Sequence, residues 1–567
     1  MKKLFPLMLL LAFISCKKEV LNPADTIYFG GDILTMEGEK PIYAEAVAVK
    51  KGKIIFVGKK AEAEKFDGNE TKMIDLQGKT LLPGFIDAHG HVWNAGFQAV
   101  SANLLPAPDG TANDIPTIIS LLNEWKTKNP KAVGKYGWII GFGYDDAQLK
   151  EKLPPTADDL DKVSSTVPVL IIHQSGHLAV MNHKALELAG YSAATKDPAG
   201  GVIRRKENSQ EPNGVLEEMA MFIPLFKMMG TLDTLANEKI AEAGIAAYTK
   251  FGFTTAQEGR ASSDACNTWS KLANEGKLSI DIAAYPDIQT QMEYLKAHGV
   301  QKNYTNHFRI AGVKLSLDGS PQGKTAWLTQ PYKVPPPGKP NTYLGYPAFP
   351  KESDAIALVD SAYANNYQIL AHCNGDAAVD EYLTAIEHAE KLYGRKDRRP
   401  VAIHAQTARF DQLDKMKTLG IMPSFFGMHT YYWGDWHRDE ILGKERAYRI
   451  SPAATALKKG MIFTQHHDAP VALPNSIMIL YSVVNRISRS GDVIGPEERI
   501  STYDALRSIT TWAAYQYFEE NSKGSIKTEK LADFVILDKN PLKVASEKII
   551  DIQVLETIKE GKSIYKK

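Results

Sequence analysis

Two histidines one residue apart, His89 and His91, close the apolar run Leu82-Pro-Gly-Phe-Ile-Asp-Ala-His89-Gly-His91. In an extended strand alternate residues point the same way, so both imidazoles would share a face and could share a metal ion. Alone, such a pair is a weak signal, because it also arises by chance on surfaces. Three further β-rich runs end in residues of ligand type. His372 follows residues 367–371, His404 lies in Val401-Ala-Ile-His404-Ala-Gln406, and Asp468 ends Met461-Ile-Phe-Thr-Gln-His-His-Asp468. Imidazole and carboxylate together suit a divalent cation such as zinc. Each residue has an ordinary reading as a hydrogen-bonded core or rim group, but chance explains four such strand ends poorly.

Lys314 sharpens the pattern. In Ile310-Ala-Gly-Val-Lys314-Leu-Ser-Leu-Asp318, alternation puts Val313, Leu315 and Leu317 on one face and Lys314, Ser316 and Asp318 on the other. The apolar face should meet surrounding helices, which turns Lys314 inward. A buried ammonium needs a partner or a lowered pKa. Beside metal cations an ammonium would be repelled, whereas a lysine carboxylated by CO₂ is negative and could bridge two ions. The competing reading is an ion pair between Lys314 and Asp318.

These residues need a scaffold that gathers strand ends. β-rich runs occur at 82–89, 253–258, 279–286, 308–318, 367–373, 400–405, 420–426 and 461–468, with amphipathic helical stretches such as 353–365, 377–393 and 410–419 between them. Eight such runs with intervening helices are what an α/β fold of the (β/α)₈ barrel type requires, and in that fold C-terminal strand ends converge on one pocket. Residues 92–250 are too many for one connection and predict an inserted subdomain, a lid. Short β-runs at 26–29, 46–49, 53–57 and 73–76 have counterparts at 531–537 and 549–565. The two ends of the chain are therefore expected to build one small β-sandwich. The expected division is 1–15 as a leader, 16–80 with 525–567 as the sandwich, and 81–524 as the barrel.

Composition limits the alternatives. The 567 residues carry Lys+Arg 67 against Asp+Glu 66, with 44% hydrophobic and 23% charged residues. That is a globular composition, and the balanced charge excludes a strongly basic nucleic-acid binder. Three cysteines cannot staple a chain of this size. Met1-Lys2-Lys3, the apolar residues 4–14 and Ser15-Cys16 form a basic, then apolar, then small-residue leader. Its apolar part is too short to span a bilayer core of about 30 Å. Phe13-Ile-Ser-Cys16 resembles a bacterial lipobox, which implies lipidation at Cys16 and anchoring in the cell envelope, periplasmic or at the outer membrane. Cys266 and Cys373 would then be the remaining thiols; an oxidising compartment permits a disulfide between them, and nothing demands one.

The chain from about 27 to 566 resembles the amidohydrolase superfamily, in its amidohydrolase-3 branch, which includes N-substituted formamide deformylases. The matching segments are 82–91, Val313-Lys-Leu-Ser-Leu-Asp-Gly-Ser320, His372-Cys-Asn-Gly-Asp-Ala-Ala-Val379, His404-Ala-Gln406, Asp468-Ala-Pro-Val471 and Lys530-Leu-Ala-Asp-Phe-Val-Ile-Leu537. The resemblance implies a hydrolase using one or two divalent ions, zinc foremost. His89 and His91 would hold the first ion, His372 and His404 the second, and carboxylated Lys314 would bridge them. Asp468 would bind the first ion and handle protons. Three departures stand out: Ile403 replaces a glutamate common before the second-metal histidine, Cys373 follows His372, and His466 and His467 precede Asp468.

The reaction expected is water attack on a non-peptide C–N bond of a small-molecule N-acyl or N-formyl amine. Candidate oxyanion donors are His177, in His173-Gln-Ser-Gly-His177, and His429. The stretch Met428-His429-Thr-Tyr-Tyr-Trp433-Gly-Asp-Trp436-His437 suggests an apolar or aromatic substrate group, or else a loop packed on the insertion. Glu217 could reach the same pocket, and Asp318 lies in the Lys314 segment. Competing readings are hydrolysis of cyclic amides, dipeptide-like bonds or esters on the same site, and a non-catalytic lipid-anchored binding protein. Neither oligomeric state nor metal number follows from the sequence.

Overall fold

Parallel strands dominate the middle of the chain. The computed structural model describes residues 22–567, so the leader and Cys16 lie outside the described residues. One parallel sheet runs in the order Phe308–Ile310, Asp281–Pro286, Phe253–Ala261, Phe85–Ile86. A second runs Val313–Ser316, Ile369–Cys373, Val401–His404, Met422–Phe425, Thr464–Gln465. Chain-adjacent strands at 308–310 and 313–316, and a bridge between Asp287 and Lys314, connect the two. Each of the eight expected runs therefore contains a parallel strand, and neighbours in space are neighbours in sequence. The first and last runs also meet, through the Asp468 N–H on the His89 carbonyl at 3.2 Å and the His91 N–H on the Ala469 carbonyl at 2.8 Å.

Continuous apolar runs such as Ile369-Leu-Ala and Val401-Ala-Ile suit strands covered on both faces, and all six residues are buried. Helices Glu352–Ala364, Asp376–Tyr393 and Phe410–Leu419 fall where the apolar periodicity put them. The last ends at Gly420, whose φ of 67° only glycine adopts without strain. The first and last runs give shorter parallel strands than expected, Phe85–Ile86 and Thr464–Gln465. His89, His91 and Asp468 thus sit beyond their strands, where hydrogen bonds rather than the pleat aim them.

Residues 102–218 form a separate six-stranded sheet, in the order Gly201–Arg205, Pro212–Glu218, Leu178–Met181, Val169–His173, Ile139–Tyr144, Ala102–Asn103. It has its own apolar cluster, which includes Leu104, Ile118, Leu122, Ile139, Val169 and Val215. The helices flanking this segment, Val92–Val100 and Thr234–Thr249, cross closely enough that a Cβ on Gly96 would lie 1.8 Å from the Ile240 carbonyl oxygen. Any larger residue there would part the two helices and loosen both ends of the insertion.

The chain ends share an eight-stranded sheet, in which Phe534–Leu537 pairs antiparallel with Thr80–Pro83. The β-run expected over 549–565 begins instead as a turn of 3₁₀ helix, Ser546–Asp551, and becomes strand only at Val554–Lys559. A buried ion cluster ties this sheet to the base of the parallel strands: Asp281 accepts from Lys523 at 2.5 Å and Lys559 at 2.7 Å, and Lys559 also reaches Asp533 at 2.8 Å. Cys266 and Cys373 are both free and buried. Among the described residues, no single helix is long and apolar enough to cross a membrane.

Candidate metal centre

Asp87 bends the chain just past the first strand. Its carboxylate accepts the backbone N–H of His89 at 3.0 Å and of Gln257 at 3.1 Å. Gln257 then holds His89 from behind, with its Oε1 2.7 Å from Nδ1. The amide orientation is settled by its other end, because Nε2 donates to the Ala88 carbonyl and the Tyr517 hydroxyl. His89 Nδ1 must therefore carry the proton, leaving Nε2 bare. The Gly259 carbonyl does the same for His91 Nδ1 at 2.6 Å. Position 259 has to be glycine because a Cβ there would lie 2.9 Å from His89 Cε1.

The two bare nitrogens face Asp468 Oδ1, at 3.2 Å from His89 and 3.4 Å from His91. That oxygen is buried and has no hydrogen bond. Three electron-pair donors converging without a proton between them fit a cation. The backbone is also constrained: Asp468 has φ 53° and His404 has φ 70°, both left-handed for non-glycine residues. Burial, with the Lys314 charge, pushes His89 down to about 3, so the ring is neutral as a ligand must be. Burial opposes ionisation of Asp468, yet its carboxyl lies well below its usual range, so the group is an anion as a carboxylate ligand must be.

Lys314 is 1% exposed, with Nζ 3.2 Å from His89 Nε2, and burial pushes its ammonium down to about 7. It does not pair with Asp318. That carboxylate accepts from His372 Nδ1 at 3.1 Å and from the backbone N–H of Asn374, Gly375 and Trp327 at 3.0, 2.7 and 3.1 Å. His404 lies 4.6 Å from His372 and 5.5 Å from His89 between ring centroids, and its Nε2 is 3.8 Å from Asp468 Oδ2. One group thus gathers His89, His91, Lys314, His372, His404 and Asp468.

The departures noted in the sequence each have a location. Ile403 is in an apolar cluster with Ile86 and Leu370, and a neutral imidazole, His466, stands behind His404 instead. His466 Nε2 is 3.1 Å from His404 Nδ1, and Ser424 Oγ is 2.9 Å from His466 Nδ1. His467 receives the Ala469 N–H at 2.9 Å and faces Asp87 at 3.3 Å. The Cys373 thiol turns to the Ala371 and Ile403 carbonyls, and burial raises its pKa, which makes it inert.

The rim differs from the sequence expectation in detail. His177 lies 6.2 Å from His372 between centroids, and the carboxylate beside it is Glu218, at 2.9 Å, rather than the Glu217 expected to reach the pocket. Glu217 points to the other face of its strand and pairs with Arg204 at 2.6 Å. Despite burial, Glu218 raises the pKa of His177. His429 is buried against Phe426 and Trp433, with Nδ1 2.9 Å from His437 Nε2. Trp433 is 1% exposed and donates Nε1–H to Asp145 at 2.9 Å, so this aromatic stretch packs on the insertion. Asp145 and Asp146 flank His173 and, against burial, raise it to about 9; that cluster is an ion-paired clamp. Asp87, Gln257, Gly259, Ser424 and Glu218 are contributors that sequence reasoning missed.

A parallel α/β scaffold with neutral histidines, a buried lysine and an aspartate at its strand ends is a hydrolase arrangement of the metal-dependent kind. The chain shares its fold with an uncharacterised metal-dependent hydrolase from Pyrococcus horikoshii OT3: the TM-score is 0.72 at 24% identity, covering 92% of this chain and 99% of that one. The amidohydrolase family matches residues 72–565, and the chain belongs to that family. It is 30% identical to Protein LONG AFTER FAR-RED 3 of Arabidopsis thaliana over 560 residues, 96% of this chain and 92% of that protein. It is 23% identical to N-substituted formamide deformylase of Arthrobacter pascens over 565 residues, 96% and 98% of the two chains.

Proposed function

We propose that this amidohydrolase cleaves a non-peptide C–N bond of an N-acyl or N-formyl amine with metal-assisted water. The observation that carries the reading is the convergence of His89 and His91 on a buried Asp468 oxygen that has no hydrogen bond. The similarity to a formamide deformylase supports the choice of bond. In this reading the two parallel sheets form one (β/α)₈ barrel at 81–524, the insertion covers its C-terminal mouth, and the terminal sheet is a sandwich of 16–80 with 525–567.

His89, His91 and Asp468 would hold one divalent ion and His372 and His404 a second, with Lys314 between them as a carboxylated bridge. When bound, such ions supply Lewis acidity to the scissile carbonyl and acidity to the attacking water. Asp468, ionised in the folded site, accepts the water proton and passes it to the leaving amine. His177, whose charged form Glu218 favours, donates a hydrogen bond to the carbonyl oxygen as negative charge develops. His429, engaged with His437 and packed on Phe426, orients the loop instead. Lipidation of Cys16 would place the enzyme in the cell envelope, on the membrane surface.

The test is turnover of a panel of N-formyl, N-acetyl and N-aroyl amines by the purified chain, with amine release measured. The reading expects hydrolysis of at least one class and its loss in Asp468→Asn. Full activity in Asp468→Asn, or ester hydrolysis with no amide turnover, would overturn it.

A further inference from the structure

The strand that backs His89 and His91 ends in a charge that the site has not used. Phe253–Ala261 gives Gln257 to His89 and the Gly259 carbonyl to His91, and the next residue is Arg260. Its φ of 52° is left-handed, which a long side chain rarely adopts unless its surroundings hold it there. Asp287 Oδ2 accepts from Arg260 Nε at 2.9 Å. Asp287 is fixed in turn, because its Oδ1 takes the N–H of Gln289 at 2.9 Å and of Thr290 at 3.1 Å, and its backbone bridges Lys314. On the other side, the guanidinium carbon is 5.9 Å from the Phe222 ring. Phe222 belongs to the helix Met219–Met229, which starts directly after Glu218, the partner of His177.

Arg260 is thereby held on the rim between the Lys314 strand and the His177–Glu218 pair, and its charge acts on both His177 and Lys314. Only the Nε edge is bonded. The two Nη groups have no hydrogen bond among the described residues, and the side chain is 43% exposed. A guanidinium fixed by one edge presents its outer pair of N–H groups as a fork that matches the two oxygens of a carboxylate. Phe222, stacked on Phe226, lies beside it as an apolar wall.

We infer that Arg260 binds a carboxylate on the substrate, so that the preferred compound is an amide whose acyl or amine part carries a carboxylate beside an apolar group. This rests on the function proposed above and names its substrate class. A merely structural Arg260, tethering the Phe222 helix, would not discriminate between charged and neutral ligands.

Two measurements on the metal-loaded full chain test it. In the first, kcat/KM is compared for paired N-formyl amines that differ only in a carboxylate or a carboxamide. The expected preference for the carboxylate falls by about 10- to 100-fold in Arg260→Gln, chiefly through KM, with partial return in Arg260→Lys. In the second, calorimetry compares 4-phenylbutyrate with 4-phenylbutanol and needs no turnover. The wild-type protein should bind the carboxylate at least tenfold more tightly, and Arg260→Gln should lose that preference. A wild type without preference, or a preference that survives in Arg260→Gln, overturns the inference. Failure of the wild type to hydrolyse any amide overturns the proposed function instead and leaves the calorimetric result to decide on Arg260.

Discussion

Replacing Asp318 by asparagine removes one charge and puts an NH₂ group where a carboxylate oxygen stood. The wild-type side chain is wholly buried and has four donors: His372 Nδ1 and the Asn374 N–H on Oδ1, and the Gly375 and Trp327 N–H on Oδ2. An asparagine can keep only one oxygen, so at least two donors lose their acceptor. At about 1.5–3 kcal/mol for each hydrogen bond to a charged group, the loss is roughly 3–6 kcal/mol. Unfolding entropy of about 2.1 cal/mol/K per residue over the whole chain converts this to a fall of about 2.5–5 °C in thermal midpoint. If the amide keeps its oxygen on the backbone donors, His372 also loses the partner that holds its proton on Nδ1. Metal retention against a chelator should then weaken by about 10- to 100-fold. Differential scanning fluorimetry and metal analysis after chelator dialysis read the two effects. A variant with wild-type midpoint and wild-type metal retention would refute the reasoning about Asp318.

Other perturbations have equally definite signs. Glu381 is 3% exposed with Oε2 unpartnered, and burial pushes it up to about 8 from an ordinary value near 4.5. Between those values the folded state keeps a proton that the unfolded chain has lost, so Glu381 lowers stability as pH rises and its penalty levels off above 8. Glu381→Gln should match the wild type near pH 4.5 and exceed it by roughly 2–3 kcal/mol at pH 9, as followed by denaturant melts. Asp281→Asn leaves Lys523 and Lys559 in the interior without their shared carboxylate, and equilibrium melts should show a loss of about 3–5 kcal/mol. His466→Ala removes the group behind His404 Nδ1, and metal retention should fall by about 10- to 100-fold while the fold, followed by circular dichroism, persists.

The legible parts of this protein are those written in periodicity and residue type. Apolar runs found the parallel strands, and the ligand-type residues at their ends are the ones the fold gathers. What the sequence hid is mostly polar backing. Gln257, Gly259 and Ser424 orient His89, His91 and His466 through ordinary amides, carbonyls and hydroxyls, which have no signature of their own. Glu217 and Glu218 are the same letter one residue apart, and only the pairing of the Gly201–Arg205 strand, which brings Arg204 to Glu217, decides which one meets His177. The aromatic stretch at 428–437 suits a substrate wall or a loop packed on the insertion equally well by sequence, because aromatics serve both. In the structure Asp145 captures the Trp433 indole and turns it to packing. Alternation also explained too much at His89 and His91: the paired strand stops at Ile86, and Asp87 makes the turn that presents both rings.

The central claim is that His89, His91 and Asp468 close on a divalent ion. Elemental analysis of the purified chain beside Asp468→Ala tests it most directly. The account predicts one or two equivalents of divalent metal, zinc foremost, in the wild type and loss of at least one equivalent in Asp468→Ala. A wild-type chain that takes up no metal after incubation with zinc, or an Asp468→Ala variant with unchanged stoichiometry and affinity, would contradict it.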